Sequence, residues 1–456
     1  MPPRWAAVFV ALLALSTRFC HVDLLWIEEA YPMAAAAEVL RGNTLYRDIW
    51  FDKPPLYALI YTVVGAAPGW PLRLLGAGFV IGTCYLAWRL IRDVANEREA
   101  VAAALLLALF LIFDLPSSMM ALAPDLLIVP LHLAAVLLAM KGRAWASGMT
   151  AGLAFLFNTK AVFVLFACLL WAARIETILG FVWINSLALL ALWFTGSLGG
   201  YWEQVWLWGM RYSSATFVAQ PWKEAVIRTL NWASFHAALV IGTALYLSRR
   251  FSWRLAAWVA LSLLSVCAGW RFFPRYYFHL LPVFLFAGVR GLFILSPRWR
   301  TAVLCTLLIP VIRFGPRYIS LAAGDRTWPD LALQRDSAAA ADVVRRVAQP
   351  GDKLLVWGYR PDIFVLSGLP AATRFLDSQP INGVLADRHL TMSTVTAPDF
   401  AARNQRDVEQ TRPDILVDGL GPLNPELAAT RYPALHMESY RIAGRTGMSI
   451  VYVRRR

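Results

Sequence analysis

Long apolar runs separated by short charged connections dominate the first two thirds of the chain. They lie at about 5–22, 72–90, 99–115, 124–140, 144–158, 160–174, 177–197, 231–248, 253–270, 276–294 and 299–314. A helix needs roughly 20 apolar residues to cross a hydrocarbon core. Hydropathy therefore predicts about eleven transmembrane helices, with the run at 144–158 short. The first run has one Arg before it and no small-residue cleavage site after it, and is read as a retained signal-anchor helix. From about residue 330 the pattern changes. Residues 331–348 have helical spacing, 352–358 (DKLLVWG) and 414–419 (DILVDG) read as buried strands, and 449–455 (SIVYVRR) alternates like a strand near a sheet edge. The expected architecture is an all-α polytopic membrane domain over 1–320, carrying an outer loop at 23–57, and a small α/β domain over 330–456.

Charge adds orientation. With the N-terminus in the cytoplasm, the inner connections hold Arg4, Arg89, Arg92, Arg98, Lys141, Arg143, Arg174, Arg249, Arg250, Arg254, Arg290, Arg298 and Arg300. That distribution follows the positive-inside rule. An odd helix count then places the C-terminal domain outside. Only 16% of residues are charged and mean hydropathy is +0.53, against about 25% charged in soluble domains. The net charge of +14 would suit nucleic acid in a polar chain. Here the cations flank apolar runs, so the expected partner is the bilayer and no nucleic-acid partner is expected. The cysteines Cys20, Cys84, Cys168, Cys267 and Cys305 have neither metal-type spacing nor a disulfide pattern.

The outer side has cations too, including Lys53, Lys160, Arg211 and Arg275, which topology does not explain. Lys53 belongs to the segment 26–57, WIEEAYPMAAAAEVLRGNTLYRDIWFDKPPLY, with Glu28, Glu29, Glu38, Arg41, Arg47, Asp48 and Asp52. An ionised side chain at the bilayer centre costs at least about 2.5–3.5 kcal/mol, so this loop belongs at the outer interface. AAAAEVLRG reads as a short interfacial helix ended by Gly42. Pro54 and Pro55 suit the first turn of a second one, which would set Lys53 at a helix N-terminus fit for phosphate.

An acidic pair, then Ala and Tyr31, an Ala-rich helix, Gly, Tyr-Arg-Asp and Asp-Lys-Pro-Pro-Leu follow in order. This order resembles the first periplasmic loop of the GT-C glycosyltransferases, especially the protein O-mannosyltransferase and lipid A aminoarabinose transferase types and RgtA/B/C/D-like bacterial proteins. The resemblance covers residues 1–320 in helix layout, and the tail around 356–368 (VWGYRPDIFVLSG) resembles the small α/β domain of many bacterial members. It implies transfer of a sugar from a polyprenyl-phosphate carrier to a glycan, lipid or protein acceptor on the outer face, usually with inversion. The setting it implies is the bacterial inner membrane, with a periplasmic C-terminal domain. An acidic residue of the loop would deprotonate the acceptor. The usual pair is Asp-Glu, whereas this chain has Glu28-Glu29.

The resemblance extends to other positions. Lys53, with Tyr31 and Asp52 beside it, is assigned to substrate, against a reading of Lys53 as a snorkelling side chain. Asp125 is either a first-turn dipole partner or the family's second acidic residue. Lys160, in FNTKAVF, matches a Thr-Lys often found there. Arg275 and Tyr276, in FFPRYYFHLLP, match an Arg-Tyr pair near the donor; His279 is read as filling the helix interior. Trp202, Trp206, Trp208 and Trp222 suggest an aromatic-belt helix, and Trp357, Tyr359, Arg360 and Asp362 packing at a strand end. No cofactor is assigned, although some branches use a divalent metal and a single carboxylate is not a site. Two other classes compete, a lipid transporter or flippase and a noncatalytic glycolipid-binding relative. Ionisable residues deep in helices, or repeats, would favour a transporter; here they cluster on the outer rim.

Overall fold

Proline occupies the first turn of one helix after another, where its missing N–H removes no intrahelical bond. Pro3–Phe19, Trp70–Val94, Pro124–Met140, Pro221–Phe235 and Pro297–Leu304 all begin this way. Glu97–Phe110 instead starts from Asn96, whose side chain accepts the Glu99 N–H at 3.1 Å. The computed structural model describes residues 2–455. By internal packing the chain forms two compact units. The first comprises residues up to Val22, Gly69–Ala191 and Val218–Gly324; the second comprises Asp23–Pro68, Leu192–Phe217 and Asp325–Arg456. The expected division near residues 320–330 is thus crossed twice. The first outer loop and Leu192–Phe217, with Trp202, Trp206 and Trp208, group with the C-terminal region, whereas Trp222 falls in the first unit.

The helical unit is apolar inside and out. Trp70–Val94, Ile175–Phe194 and Pro297–Ala322 are long and apolar enough to cross a membrane, and Pro221–Phe235 with Ala237–Arg249 makes a fourth candidate bent by 95°. The other expected spans are shorter helices; Ala144–Phe155 and Val162–Leu169, for example, are parted by the 3-10 turn Thr159–Ala161. Eleven full-length spans are therefore not seen among the described residues. Ile175–Phe194 buries only Thr177 and Gly180 and leaves Leu179, Val182, Trp183 and Leu190 outward, the surface of a lipid-facing helix.

Small residues set the closest helix contacts. Gly242, on Ala237–Arg249, lies backbone to backbone with Gly288 and Gly291 on Leu281–Leu292. A Cβ at Gly242 or Gly291 would collide with main-chain atoms of the other helix, which cannot move as a side chain tip can. Glycine there lets dispersion contacts run along the whole pair. Gly148 and Gly180 do the same for Ala144–Phe155 and Ile175–Phe194.

The second unit holds a four-stranded sheet in the order β1-β2-β4-β3. β1 (Leu354–Trp357) and β2 (Ile415–Asp418) are parallel, with Leu354 opposite Ile415 and Trp357 opposite Asp418. Both are buried along their whole length, as parallel strands covered on two faces must be. The crossover between them contains Pro398–Glu409, and Ala332–Val347 packs its apolar face on the other strands. β4 (Ile450–Arg454) runs antiparallel between β2 and β3 (Tyr440–Arg445). The strand expected near the edge is therefore interior. The edge on that side is β3, whose sequence YRIAGR is too polar and too broken by Gly444, at a register shift, to read as a strand.

Replacing Gly242 or Gly291 by Leu forces the two helices apart. We expect a loss of at least about 1–3 kcal/mol, seen as a lower unfolding temperature in detergent. The same change at Gly78, where a Cβ meets nothing within 4 Å, leaves it within about a degree.

Candidate active site

The first loop is built as a lattice on the second unit. The acidic pair opens a helix, Ile27–Leu40, longer than the Ala-rich stretch alone suggested and with Pro32 inside it. Glu28 and Glu29 occupy its first turn, where negative charge is favoured by the helix dipole. Glu38 ends the same helix and is fully used. It accepts from Arg41 at 2.6 Å, Asn43 at 2.7 Å and the Ala371 N–H at 3.0 Å. The return segment is pinned at several residues. Trp50 N–H donates to the Arg374 carbonyl at 2.7 Å, Phe51 N–H to Gln204 Oε1 at 2.8 Å, and Tyr46 OH to the Lys53 carbonyl at 2.7 Å. Trp50 and Trp208 meet edge to face at 5.8 Å, so Trp208 is core rather than belt, while Trp202 stays exposed.

Asp52 and Lys53 end this lattice as an ion pair, Nζ to Oδ2 2.9 Å, with the Lys side chain 36% exposed and the Asp 10%. Lys53 also lies 5.6 Å from the Tyr212 ring centre. The helix after it is a single turn, Pro55–Leu59, continued as 3-10 geometry. Pro54 and Pro55 have no N–H to offer, and the Tyr57 N–H bonds the Pro54 carbonyl at 3.3 Å. The anion-directed group is thus the ammonium, and not the backbone seat expected from the Pro-Pro signal. Tyr57 OH donates to the Glu28 carbonyl. Tyr31 stacks on Phe51 at 5.1 Å, and its hydroxyl lies 3.4 Å from both the Trp50 carbonyl and the Asp52 N–H.

Tyr359 joins this group from the C-terminal region, its ring 5.7 Å from that of Tyr31. Burial and then the charges of Glu28, Asp52 and Asp377 hold its hydroxyl well above the ordinary tyrosine value. Burial, then Asp52 and Asp377, do the same to Tyr31. Both hydroxyls stay protonated and can donate. Of the run Trp357, Tyr359, Arg360 and Asp362, three residues are packing as expected: Trp357 lies in β1, Arg360 pairs with buried Asp336 at 3.1 Å, and Asp362 is buried. Tyr359 is the exception.

A second cluster forms within the helical unit. Asp125, 2% exposed, sits in the first turn of Pro124–Met140. Asn158 donates to its Oδ1 at 3.0 Å, His279 Nε2 stands 3.4 Å from Oδ1, and Arg275 Nε is 3.6 Å from Oδ2. Ser265 Oγ meets His279 Nδ1 at 2.8 Å and fixes the ring. Lys160 lies over Tyr276, its Nζ 3.0 Å from the ring centre. Asp125, Lys160, Arg275 and Tyr276 are therefore neighbours although far apart in sequence. Asn158 and His279 belong with them. Both lie inside the segments that carried Lys160 and Arg275, but a lone Asn or His beside an apolar run gives no sign of its partner. Among the described residues, no three His, Cys, Asp or Glu side chains gather as a metal-ligand set.

Residues 52–197 match the model of the dolichyl-phosphate-mannose-protein mannosyltransferase family. No curated protein matches the chain by sequence. The structure is similar to that of ArnT from Cupriavidus metallidurans bound to undecaprenyl phosphate, with TM-score 0.57 and 15% identity over 99% of this chain and 98% of that one. The apo form of that ArnT gives 0.61 and 15% over 98% and 96%. The Archaeoglobus fulgidus oligosaccharyltransferase, in complex with Zn and sulfate, gives 0.52 and 14% over 95% and 71%. The chain has the GT-C fold.

The GT-C fold is that of a multi-pass membrane protein, in keeping with the apolar helices described above. The family match begins at Asp52 and takes in Lys53, Asp125 and Lys160, while the acidic pair and Arg275 lie outside it. At these identities the likeness shows the fold alone, so the roles of individual residues rest on their own geometry.

Asp125 is surrounded by cations and donors, the arrangement a buried carboxylate requires. Truncating it removes the carboxylate that Arg275 and Lys160 face. We expect Asp125→Ala to cost about 3–5 kcal/mol by thermal unfolding in nanodiscs. The added substitution Arg275→Met should recover part of that loss, because it removes one of the cations that Asp125 offsets.

Proposed function

We propose that this protein is an integral membrane glycosyltransferase that moves a sugar from a polyprenyl-phosphate carrier to an acceptor hydroxyl on the outer face, with inversion. The observation that carries this reading is the first-loop lattice, which sets a carboxylate, an ammonium and two tyrosine hydroxyls together on one rigid support. The membrane is assigned as a bacterial inner membrane, with a cytoplasmic N-terminus and the sheet-bearing region periplasmic. The acceptor is a glycan, lipid or protein hydroxyl.

Glu28 is the base in this reading. Glu29 is 0% exposed, whereas Glu28 is partly exposed and its charge reaches Tyr359. A base must reach the proton it takes. The acceptor O–H gives its proton to the Glu28 carboxylate as the acceptor oxygen bonds the anomeric carbon. The bond from that carbon to the phosphate oxygen breaks, and its electron pair leaves on the polyprenyl phosphate. The anomeric centre carries developing positive charge, which the carboxylates favour. The departing phosphate gains negative charge, which the half-exposed Lys53 offsets without a proton transfer. Asp52 holds that ammonium in place. Lys160 and Arg275 are assigned to the anionic donor as well, with Asp125 as the residue that orients them.

The test uses purified protein in lipid nanodiscs, a panel of labelled polyprenyl-phosphate sugars and a cell-envelope extract as acceptor. We expect wild type to consume one donor. Glu28→Gln should lower turnover by about 10²–10⁴-fold while donor binding persists, and Lys53→Ala should weaken donor use by about 10–100-fold. If no donor is consumed, or if Glu28→Gln and Glu29→Gln both transfer normally, the catalytic reading fails and a transporter or noncatalytic glycolipid-binding protein replaces it.

A further inference from the structure

One buried carboxyl near Lys53 has no part in the reaction just described. Asp377 lies in the turn before the short helix Gln379–Asn382, 1% exposed, and the Gln379 N–H donates to its Oδ1 at 2.8 Å. The turn is fastened to the end of β1. Ser378 Oγ accepts from the Gly358 N–H at 2.9 Å, and Asn382 Nδ2 donates to it at 3.2 Å. The Thr373–Phe375 stretch just upstream is tied to the first loop through the bond from Trp50 N–H to the Arg374 carbonyl and the 5.8 Å contact of Trp50 with Phe375. Asp377 is consequently held where its charge is felt by Asp52 and Lys53 of the loop, by Tyr31 on its helix, and by Tyr359 beside it.

We propose that Asp377 is a positioning residue of the site, whose charge state sets how freely Lys53 is presented to a phosphate. The inference rests on the reading of Lys53 as the phosphate-binding group. When Asp377 is ionised, Lys53 faces two carboxylates, and an incoming phosphate meets net negative charge. When Asp377 is protonated, Lys53 is balanced by Asp52 alone, and a phosphate can compete for it. Burial pushes the Asp377 carboxyl up to about 7, with Asp52 adding to the rise and the Gln379 N–H and Lys53 opposing it. A raised carboxyl is protonated below its own value and ionised above it. Phosphate binding should therefore be strong below about pH 7 and weaken as pH rises through it.

The experiment titrates the methyl phosphodiester of undecaprenyl phosphate into the full-length protein in nanodiscs at pH 6 and pH 8, followed by tryptophan fluorescence. The charge of this probe is constant over that range. Wild type should bind about tenfold more weakly at pH 8 than at pH 6. Asp377→Asn should bind equally at both, at the strength wild type shows at pH 6, and Asp377→Ala should lose the pH dependence likewise. A structural role would weaken binding at both pH values and leave their ratio unchanged. A flat wild-type profile overturns the proposal without recourse to any variant. So does an Asp377→Asn profile that matches wild type while Lys53→Ala has lost binding. If Lys53→Ala binds as wild type does, the phosphate reading of Lys53 is itself wrong and this inference falls with it.

Discussion

A charge beside lipid must be answered by protein, and that constraint organises both units. Arg18, buried near the end of the first helix, donates to the Met119 and Met120 carbonyls at 2.8 and 2.5 Å. Those carbonyls end a one-turn helix and have no intrahelical partner to lose. Asp93 is shared by Lys141 and Arg89. Asp125 takes Asn158, His279 and Arg275. Each ion thereby ties segments distant in sequence, so the requirement that sealed charges be satisfied also fixes which helices are neighbours.

The same constraint gives the carboxylates different surroundings. Glu38 and Asp125 have their oxygens taken up by donors and act as anchors. Asp52 holds one ammonium. Glu28 lies in a first helical turn with its residue only partly covered, and Asp377 is sealed but faces a site already rich in negative charge. Burial that outweighs its opposing charges and donors makes a proton-responsive carboxyl, and this is why Asp377 and Glu28 can play different parts. The tyrosines add donors that neither charge nor pH removes near neutrality.

Sequence showed the class of the molecule, because apolar run length and the flanking arginines are local properties that the bilayer imposes directly. It showed the first loop, since eight ionisable residues in an otherwise apolar stretch cannot be embedded. Two buried strands and the helix at Ala332–Val347 were also legible from their periodicity. Helix lengths were less so. The runs 144–158 and 160–174 were separated correctly, but hydropathy sums apolar residues without registering where helical geometry ends, so the helices Ala144–Phe155 and Val162–Leu169, parted by the 3-10 turn Thr159–Ala161, are shorter than the runs. The edge strand β3 was invisible because edge strands need little apolar character.

The candidate site divides along the same line. Glu28, Glu29, Asp52 and Lys53 were found because they sit in one short segment whose pattern is dense. Tyr359 and Asp377 were not, because nothing at residues 356–368 or 377 encodes what lies across the fold from them. Asn158 and His279 were passed over for the same reason. What the sequence determined by itself was where charge could not be buried unaided and which segments had to cross lipid. Which carboxylate received which partner was decided only by tertiary structure, because pairing depends on distance in space and a chain states only distance along itself.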